Sequence, residues 1–216
     1  MNLILLGPPG AGKGTQSDFI SNKFNLKQIS TGNLLREEIK KKTSLGLNIE
    51  KTINNGNLVH DKIVNELLYN VFKNSSNLGK LIFDGYPRNL TQINFLDALL
   101  KKHNQKISII LYLLVTKESI KTRIQNRIFC TNCQKTFNMT NNPPTSSNHK
   151  CDEKFLTKRS DDNIETILKR FDNYIDLTKP VLDHYKKFPF FHEVDGNVEI
   201  PIISTKINDI LSNLNN

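Results

Sequence analysis

The first fifteen residues constrain the fold more than any other part of the chain. An apolar run, Leu3 to Leu6, passes directly into Gly7-Pro8-Pro9-Gly10-Ala11-Gly12-Lys13-Gly14-Thr15. A short apolar run ended by glycine reads as a buried strand, and the residues from Lys13 onward open a helix. A glycine-rich turn between such elements lets backbone N–H groups converge on one point. The positive end of the helix dipole and the Lys13 ammonium act at that same point, which therefore suits phosphate oxygens. The spacing from Gly7 to Gly12-Lys13 fits the P-loop pattern G-x-x-x-x-G-K, but Gly14 comes next and the hydroxyl arrives one residue late, at Thr15. The hydroxyl that ordinarily binds Mg²⁺ directly after the lysine is missing, so the loop is a variant.

The rest of the chain repeats the strand-then-helix theme, the pattern of a parallel α/β sheet with flanking helices. Strands are expected at Asn2 to Leu6, Lys27 to Ile29, Lys80 to Phe83, Ile107 to Val115 and Phe190 to Val194. Helices are expected to begin near Lys13, Thr31, Asp61, Leu90, Lys117, Asn163 and Ile202, with Thr31 as an N-cap and Thr116 just ahead of a helix bearing Arg123 and Arg127. Two stretches break the alternation and read as insertions mounted on the sheet. Ser30 to Val59 is helical with glycines at Gly46 and Gly56, and Cys130 to about Lys158 has no helical period. A chain of 216 residues suffices for one substantial core carrying such inserts.

Two further groups carry chemistry. Leu81-Ile82-Phe83-Asp84-Gly85-Tyr86-Pro87-Arg88 places a carboxylate at the end of a buried strand, where a P-loop protein holds the waters of Mg²⁺. The plain alternative is that Asp84 caps the helix starting near Leu90. Arg88, held by Pro87, can present a planar fork to phosphate. Arg123 and Arg127, read as i, i+4 on one helix face, are followed by Arg159 and Arg170. Arginine used selectively in a lysine-dominated chain suits a transferring phosphoryl group, although any one of them alone would pass for a surface ion pair.

Gly7-Pro-Pro-Gly-Ala-Gly-Lys-Gly-Thr15 together with Asp84-Gly-Tyr-Pro-Arg88 resembles the adenylate kinase family. So do Ser30-Thr31-Gly32-Asn33-Leu34-Leu35-Arg36, Gly56-Asn57-Leu58-Val59, Gln92, and Arg159-Ser160-Asp161-Asp162 with Arg170, in the family's order from residue 1 to beyond 196. The resemblance implies a five-stranded parallel core at 1–29, 60–126 and 165–216, an AMP-binding insert at 30–59 and a lid at 127–164. It also implies ATP + AMP ⇌ 2 ADP with Mg²⁺, serving purine nucleotide salvage and energy homeostasis. By the same resemblance Gly10, Ala11, Gly12, Lys13, Gly14, Thr15, Arg123, Arg127, Thr136 and Phe137 bind ATP. AMP falls to Thr31, Gly32, Arg36, Asn57, Leu58, Val59, Gly85, Tyr86, Pro87, Arg88, Gln92, Arg159 and Arg170. Lys13, Asp84, Arg88, Arg123, Arg127, Arg159 and Arg170 are the catalytic set.

Long-lid members of that family carry a structural zinc on paired C-x-x-C motifs, or with Asp last. Here Cys130, Cys133 and Cys151 are present, but Lys154 stands at the usual fourth position, which leaves Asp152, Glu153 or His149 to complete a tetrahedral site. The competing reading is a decayed site, its cysteines now small apolar residues, with Phe137 and Phe155 holding the lid.

The net charge of +9 fits a nucleotide partner, a solvated basic surface, nucleic acid or an acidic membrane surface. No RNA-binding motif or membrane-length apolar segment accompanies it, so the expectation is a cytoplasmic protein that binds neither nucleic acid nor membrane, and the resemblance implies a monomer. Three cysteines do not make a disulfide framework. The alternatives to adenylate kinase are a monophosphate kinase of other base specificity and a nucleotide-binding regulatory or RNA-associated protein.

Overall fold

A computed structural model of the chain describes residues 1–73 and 78–214. Its core is a parallel sheet of β1 (Leu3–Leu6), β2 (Lys27–Ser30), β3 (Leu81–Asp84), β4 (Ile109–Leu114) and β8 (Phe191–Asp195). The spatial order is β2-β3-β1-β4-β8. The expected five strands are all present, with ends shifted by one or two residues. Strand β1 lies at the centre because both of its faces are apolar, as a strand covered by helices on both sides must be. Leu3 and Leu5 face one cluster and Ile4 and Leu6 the other, each at most 2% exposed. Burial of each such side chain contributes about 1.5–3 kcal/mol.

One face is covered by α1 (Lys13–Phe24), α6 (Lys117–Gln125) and α8 (Ile200–Ser212), through Ile20, Ile120, Ile124, Ile203 and Ile207. The other is covered by α4 (Asp61–Lys73), α5 (Leu90–Lys102) and much of α7 (Ile164–Tyr185), through Leu68, Phe72, Leu96, Leu100, Val181 and Leu182. The order reverses around β1, whose neighbours are β3 on one side and β4 on the other, and its carboxyl end opens the crevice in which α/β sheets bind ligands. Registers Leu5↔Asp84 and Ser30↔Asp84 bring the glycine loop, the end of β2 and Asp84 to one rim.

The first interruption is α2 (Thr31–Lys40) and α3 (Ser44–Asn54). Ser30, not Thr31, caps α2, its hydroxyl accepting from Asn33 N at 3.4 Å; Thr31 is already helical. The second interruption is a small antiparallel sheet, β6-β5-β7, built from β5 (Arg127–Cys130), β6 (Thr136–Asn138) and β7 (Leu156–Thr157), with a 3₁₀ turn at Glu153–Phe155. This sheet corrects the placement of Arg127. Helix α6 ends at Gln125, so Arg123 and Arg127 are not i, i+4 on one helix; Arg127 begins β5, paired with Asn138. Asp84 is not a helix cap either, since Asn89 caps α5 by accepting from Gln92 N at 2.8 Å.

Helices α2 and α3 touch backbone to backbone, and glycine is what permits it. A Cβ on Gly46 would stand 2.5 Å from Glu38 O in α2. Gly46→Ala is therefore expected to cost this helix pair about 1–3 kcal/mol of local stability. Native-state hydrogen exchange should show faster amides in α2 and α3, with β1 and β3 unchanged.

Candidate active site

Helix α1 starts at a left-handed glycine, Gly12, whose φ of 93° and ψ of 11° turn the chain out of the loop and into the helix. Lys13 then folds back over the loop, its Nζ donating to Gly7 O at 2.7 Å and Pro8 O at 3.0 Å. Burial lowers its pKa to about 8; Asp84 opposes that shift, and Arg88 and Arg127 add to it. The ammonium is charged at neutral pH but weakly held, a state that phosphate oxygens would relieve.

Asp84 sits beside this loop, 8% exposed, and its Oδ2 accepts from Gln28 Nε2 at 2.8 Å. The turn after it is fastened at several points. Thr31 Oγ1 and Arg88 Nε both donate to Gly85 O, at 3.0 and 2.8 Å. The Arg88 N–H donates to Gln92 Oε1 at 2.8 Å, while Gln92 Nε2 donates to Asp61 at 2.6 Å. Burial brings the Arg88 guanidinium down to about 10, helped by Arg170. Tyr86 departs from its expected role: its ring is buried and its hydroxyl donates to Asn65 Oδ1 at 2.7 Å, so it braces the turn without facing the cavity.

The remaining arginines come from α2, α6, β5, the segment after β7, and α7. Arg127 is paired bidentately with Asp162, and Arg170 with Asp161. Burial lowers Arg127 to about 10, with Asp161 opposing it. Burial raises the Asp161 carboxyl, but Arg170, Arg127, Arg159 and Arg36 together outweigh that and hold it below its ordinary value. Arg123 donates to Ala11 O at 3.3 Å and Gly196 O at 2.5 Å. Arg36 and Arg159 have no carboxylate partner; Arg36 Nη2 meets Asn33 Oδ1 at 2.6 Å and Arg159 Nη2 meets Thr136 Oγ1 at 2.7 Å. Burial drives Arg159 well down, with Arg36 and Arg127 adding their repulsion. The Nε atoms of Arg36 and Arg159 are buried with no hydrogen-bond partner among the described residues.

These groups surround one cavity of about 840 Å³. Gly10, Ala11, Gly14, Thr15, Gly32, Asn57, Leu58, Val59, Gly85, Pro87 and Thr136 line it with eight cationic side chains and three acidic ones. That imbalance in a partly closed space selects a polyanion. Thr31 and Gln92 lie in a side cleft of about 30 Å³ shared with Leu58, Val59 and Arg88. Phe137 lines the main cavity too, although its ring is buried and stands edge-on to His149 at 5.1 Å.

Below the cavity the lid gathers Cys130, Cys133, Cys151 and His149, whose ligand atoms lie within 4.8 Å of one another. His149 is thus the fourth member, and Asp152 and Glu153 are not. Asp152 is engaged elsewhere, accepting from Lys154 N at 2.9 Å. His149 Nε2 is buried with no hydrogen-bond partner among the described residues, and three sulfurs with one imidazole are a donor set that suits zinc.

Several contributors escaped the sequence reading. Asp161 and Asp162 stood in plain view between Arg159 and Arg170, and that alternation of charge was the available signal. Gln28 and Asp61 carried none, because each acts through a neighbour distant in sequence.

A family model described as adenylate kinase matches residues 5–189. The chain is 48% identical over 211 residues to a Pelagibacter ubique (strain HTCC1062) protein named adenylate kinase, covering 98% of this chain and 99% of that one. It is 40% identical over 198 residues to a Mycoplasma mycoides subsp. mycoides protein of that name, covering 91% and 92%. It is 38% identical over 216 residues to one from Archaeoglobus fulgidus, covering 99% of each.

The depressed Lys13 has a measurable consequence. Binding of inorganic tripolyphosphate, followed by calorimetry, should weaken as pH rises through about 8, where the free ammonium sheds its proton. Lys13→Ala should bind at least about tenfold more weakly at pH 7 and lose that pH dependence.

Proposed function

This chain belongs to the adenylate kinase family and is a phosphotransferase catalysing ATP + AMP ⇌ 2 ADP; from that premise we propose how its own residues divide the work. Lys13 and the amides of Gly10 to Thr15 hold the phosphates of MgATP, the form of ATP that adenylate kinases use. Asp84, positioned by Gln28, faces the waters of that Mg²⁺, with Thr15 as a helper for the hydroxyl missing at Gly14. Arg36, Arg88 and Arg170 hold the AMP phosphate. Thr31, Gln92 and the backbone of Asn57 to Val59 read its adenosine. Arg123, Arg127 and Arg159 surround the phosphoryl group in transit, and Thr136 and Phe137 pack beside the ATP base.

The observation that carries this reading is the convergence on one cavity of cations from the loop, α2, the turn after β3, the lid and α7, with buried Nε donors of Arg36 and Arg159 left over. An AMP phosphate oxygen is already anionic, so no strong base is needed. Alignment of the two nucleotides and stabilisation of charge on the equatorial oxygens carry the rate. The fixed arginines do this without reorganising, because Asp161, Asp162 and the backbone already hold them.

Residues 30–59 act as the acceptor-side insert and 127–164 as the lid that keeps water from the phosphoryl group. Contacts between the two support this: Lys40 Nζ donates to Thr131 O at 3.1 Å, and Ser160 Oγ to Asn54 Oδ1 at 2.9 Å. Among the described residues no helix is long and apolar enough to cross a membrane.

The four-residue lid cluster is read as a structural zinc site, with Cys130, Cys133, Cys151 and His149 as ligands. Bound there, zinc would tie β5 to the loop before β7 and supply no chemistry to the transfer. Asn132 Nδ2, 3.3 Å from Cys151 Sγ, is placed to steady that thiolate.

ADP formation should be rapid from MgATP with AMP and at least about a hundredfold slower with GMP, CMP or UMP. ATP loss without acceptor would overturn the reading. Arg88→Ala should raise KM for AMP by more than about tenfold and leave that for ATP within about twofold. Equal losses on both would contradict the assignment of Arg88 to the acceptor. Protein expressed with zinc should hold about one zinc per chain and lose lid stability on chelation, whereas His149→Ala should bind zinc more weakly. Less than about 0.2 zinc per chain would leave the cysteines as apolar packing.

A further inference from the structure

Phe129, on β5, is 5% exposed and takes no part in the reaction as described so far. Two guanidinium groups lie over its ring. Arg159 Cζ is 4.6 Å from the ring centroid and Arg36 Cζ is 5.3 Å from it. They come from different inserts, Arg159 from the lid just after β7 and Arg36 from α2 on the acceptor side.

Two cations this close repel each other, and Arg36 is the charged neighbour that most depresses Arg159. The chain neutralises Arg127 and Arg170 with carboxylates, Asp162 and Asp161, which occupy guanidinium N–H donors. For Arg36 and Arg159 it uses an aromatic face. A ring face attracts a cation through its negative quadrupole and brings no carboxylate to pair with its N–H groups. Each guanidinium still donates from its edge, Arg36 Nη2 to Asn33 and Arg159 Nη2 to Thr136, while its Nε is buried with no hydrogen-bond partner among the described residues. The attraction is stronger once water is excluded, which happens when the inserts meet. Other contacts between the inserts are polar, the exposed Lys40 to Thr131 and the part-buried Gln134 to Glu37 among them.

We propose that Phe129 is a positioning residue: a shared aromatic plate that joins Arg159 of the lid to Arg36 of the acceptor insert, so that donor and acceptor nucleotides each tighten binding of the other. The proposal rests on the reading that Arg159 serves the phosphoryl group and Arg36 the AMP phosphate. Lid closure on a donor nucleotide brings the plate to Arg36. A pre-stacked Arg36 then meets AMP at less ordering cost, and by linkage AMP returns the same gain to the donor. Leucine or methionine in this position would keep the apolar packing of the lid sheet but not the face that draws the cations.

The test is the thermodynamic coupling between a non-hydrolysable ATP analogue and AMP. Calorimetry would measure AMP affinity with and without saturating analogue, in wild type, Phe129→Leu, Phe129→Met and Phe129→Tyr. The leucine and methionine variants should lose about fivefold or more of the coupling, with the affinity for each nucleotide alone within about twofold of wild type. Phe129→Tyr, which keeps the ring face, should retain the coupling. Wild-type coupling in the leucine and methionine variants would overturn the proposal, as would a tyrosine variant that loses as much as leucine. A wild-type protein with no coupling at all would overturn the proposal alone; the assignment on which it rests fails separately, if Arg36→Ala leaves AMP affinity at the wild-type value.

Discussion

The structure depends on keeping a crowd of like charges buried and still charged. Lys13, Arg36, Arg88, Arg127 and Arg159 all have depressed pKa values, and in each case burial is the largest cause. Such an arrangement is tolerable only when every cation has compensation in reach. The chain supplies it in several forms: Asp84 beside the loop, Asp161 and Asp162 for two arginines, backbone carbonyls for Lys13 and Arg123, and an aromatic face for two more. What remains uncompensated is a field that only a polyphosphate completes. Catalytic electrostatics and the cost of maintaining them are one feature seen from two sides.

That requirement explains why the compensating groups come from so many parts of the chain. Asp84 is carried by β3, in register with Leu5 of β1, so it stands next to the phosphate loop as a consequence of parallel pairing. Asp161 and Asp162 arrive where the lid joins α7. Positions in three dimensions follow from the sheet order β2-β3-β1-β4-β8, which gathers the loop after β1, the end of β2 and the turn after β3 on one edge. The two inserts can then be mounted without disturbing the central strands, whose burial depends on helices elsewhere.

A second layer holds the first in place. Gln92 is clamped between Asp61 and the Arg88 backbone, and its amide is thereby set in one orientation next to the side cleft. Tyr86 fills the space beneath the same turn and reaches Asn65. In the lid, zinc on the cysteine and histidine cluster would perform the corresponding service for β5 and hence for Arg127 and Phe129. Precision at the cavity comes from these outer contacts, since long cationic side chains have too many rotamers to position themselves.

The sequence by itself indicated the glycine loop between β1 and α1, the five strands of the core sheet and every cationic residue lining the cavity except Lys135. These are legible because each rests on a local pattern: glycines at fixed offsets, apolar runs of strand length, arginine chosen over lysine. Only the tertiary structure decided that Arg127 leaves the helix for a strand, that Tyr86 braces its turn from beneath, that His149 joins the three cysteines, and that Gln28, Asp61 and Phe129 hold the groups beside them. The physical reason is the same in each case. A side chain's partner is set by which elements the sheet order and the lid bring together, and residues as far apart as Arg36 and Arg159 leave no periodic trace of their meeting over one ring.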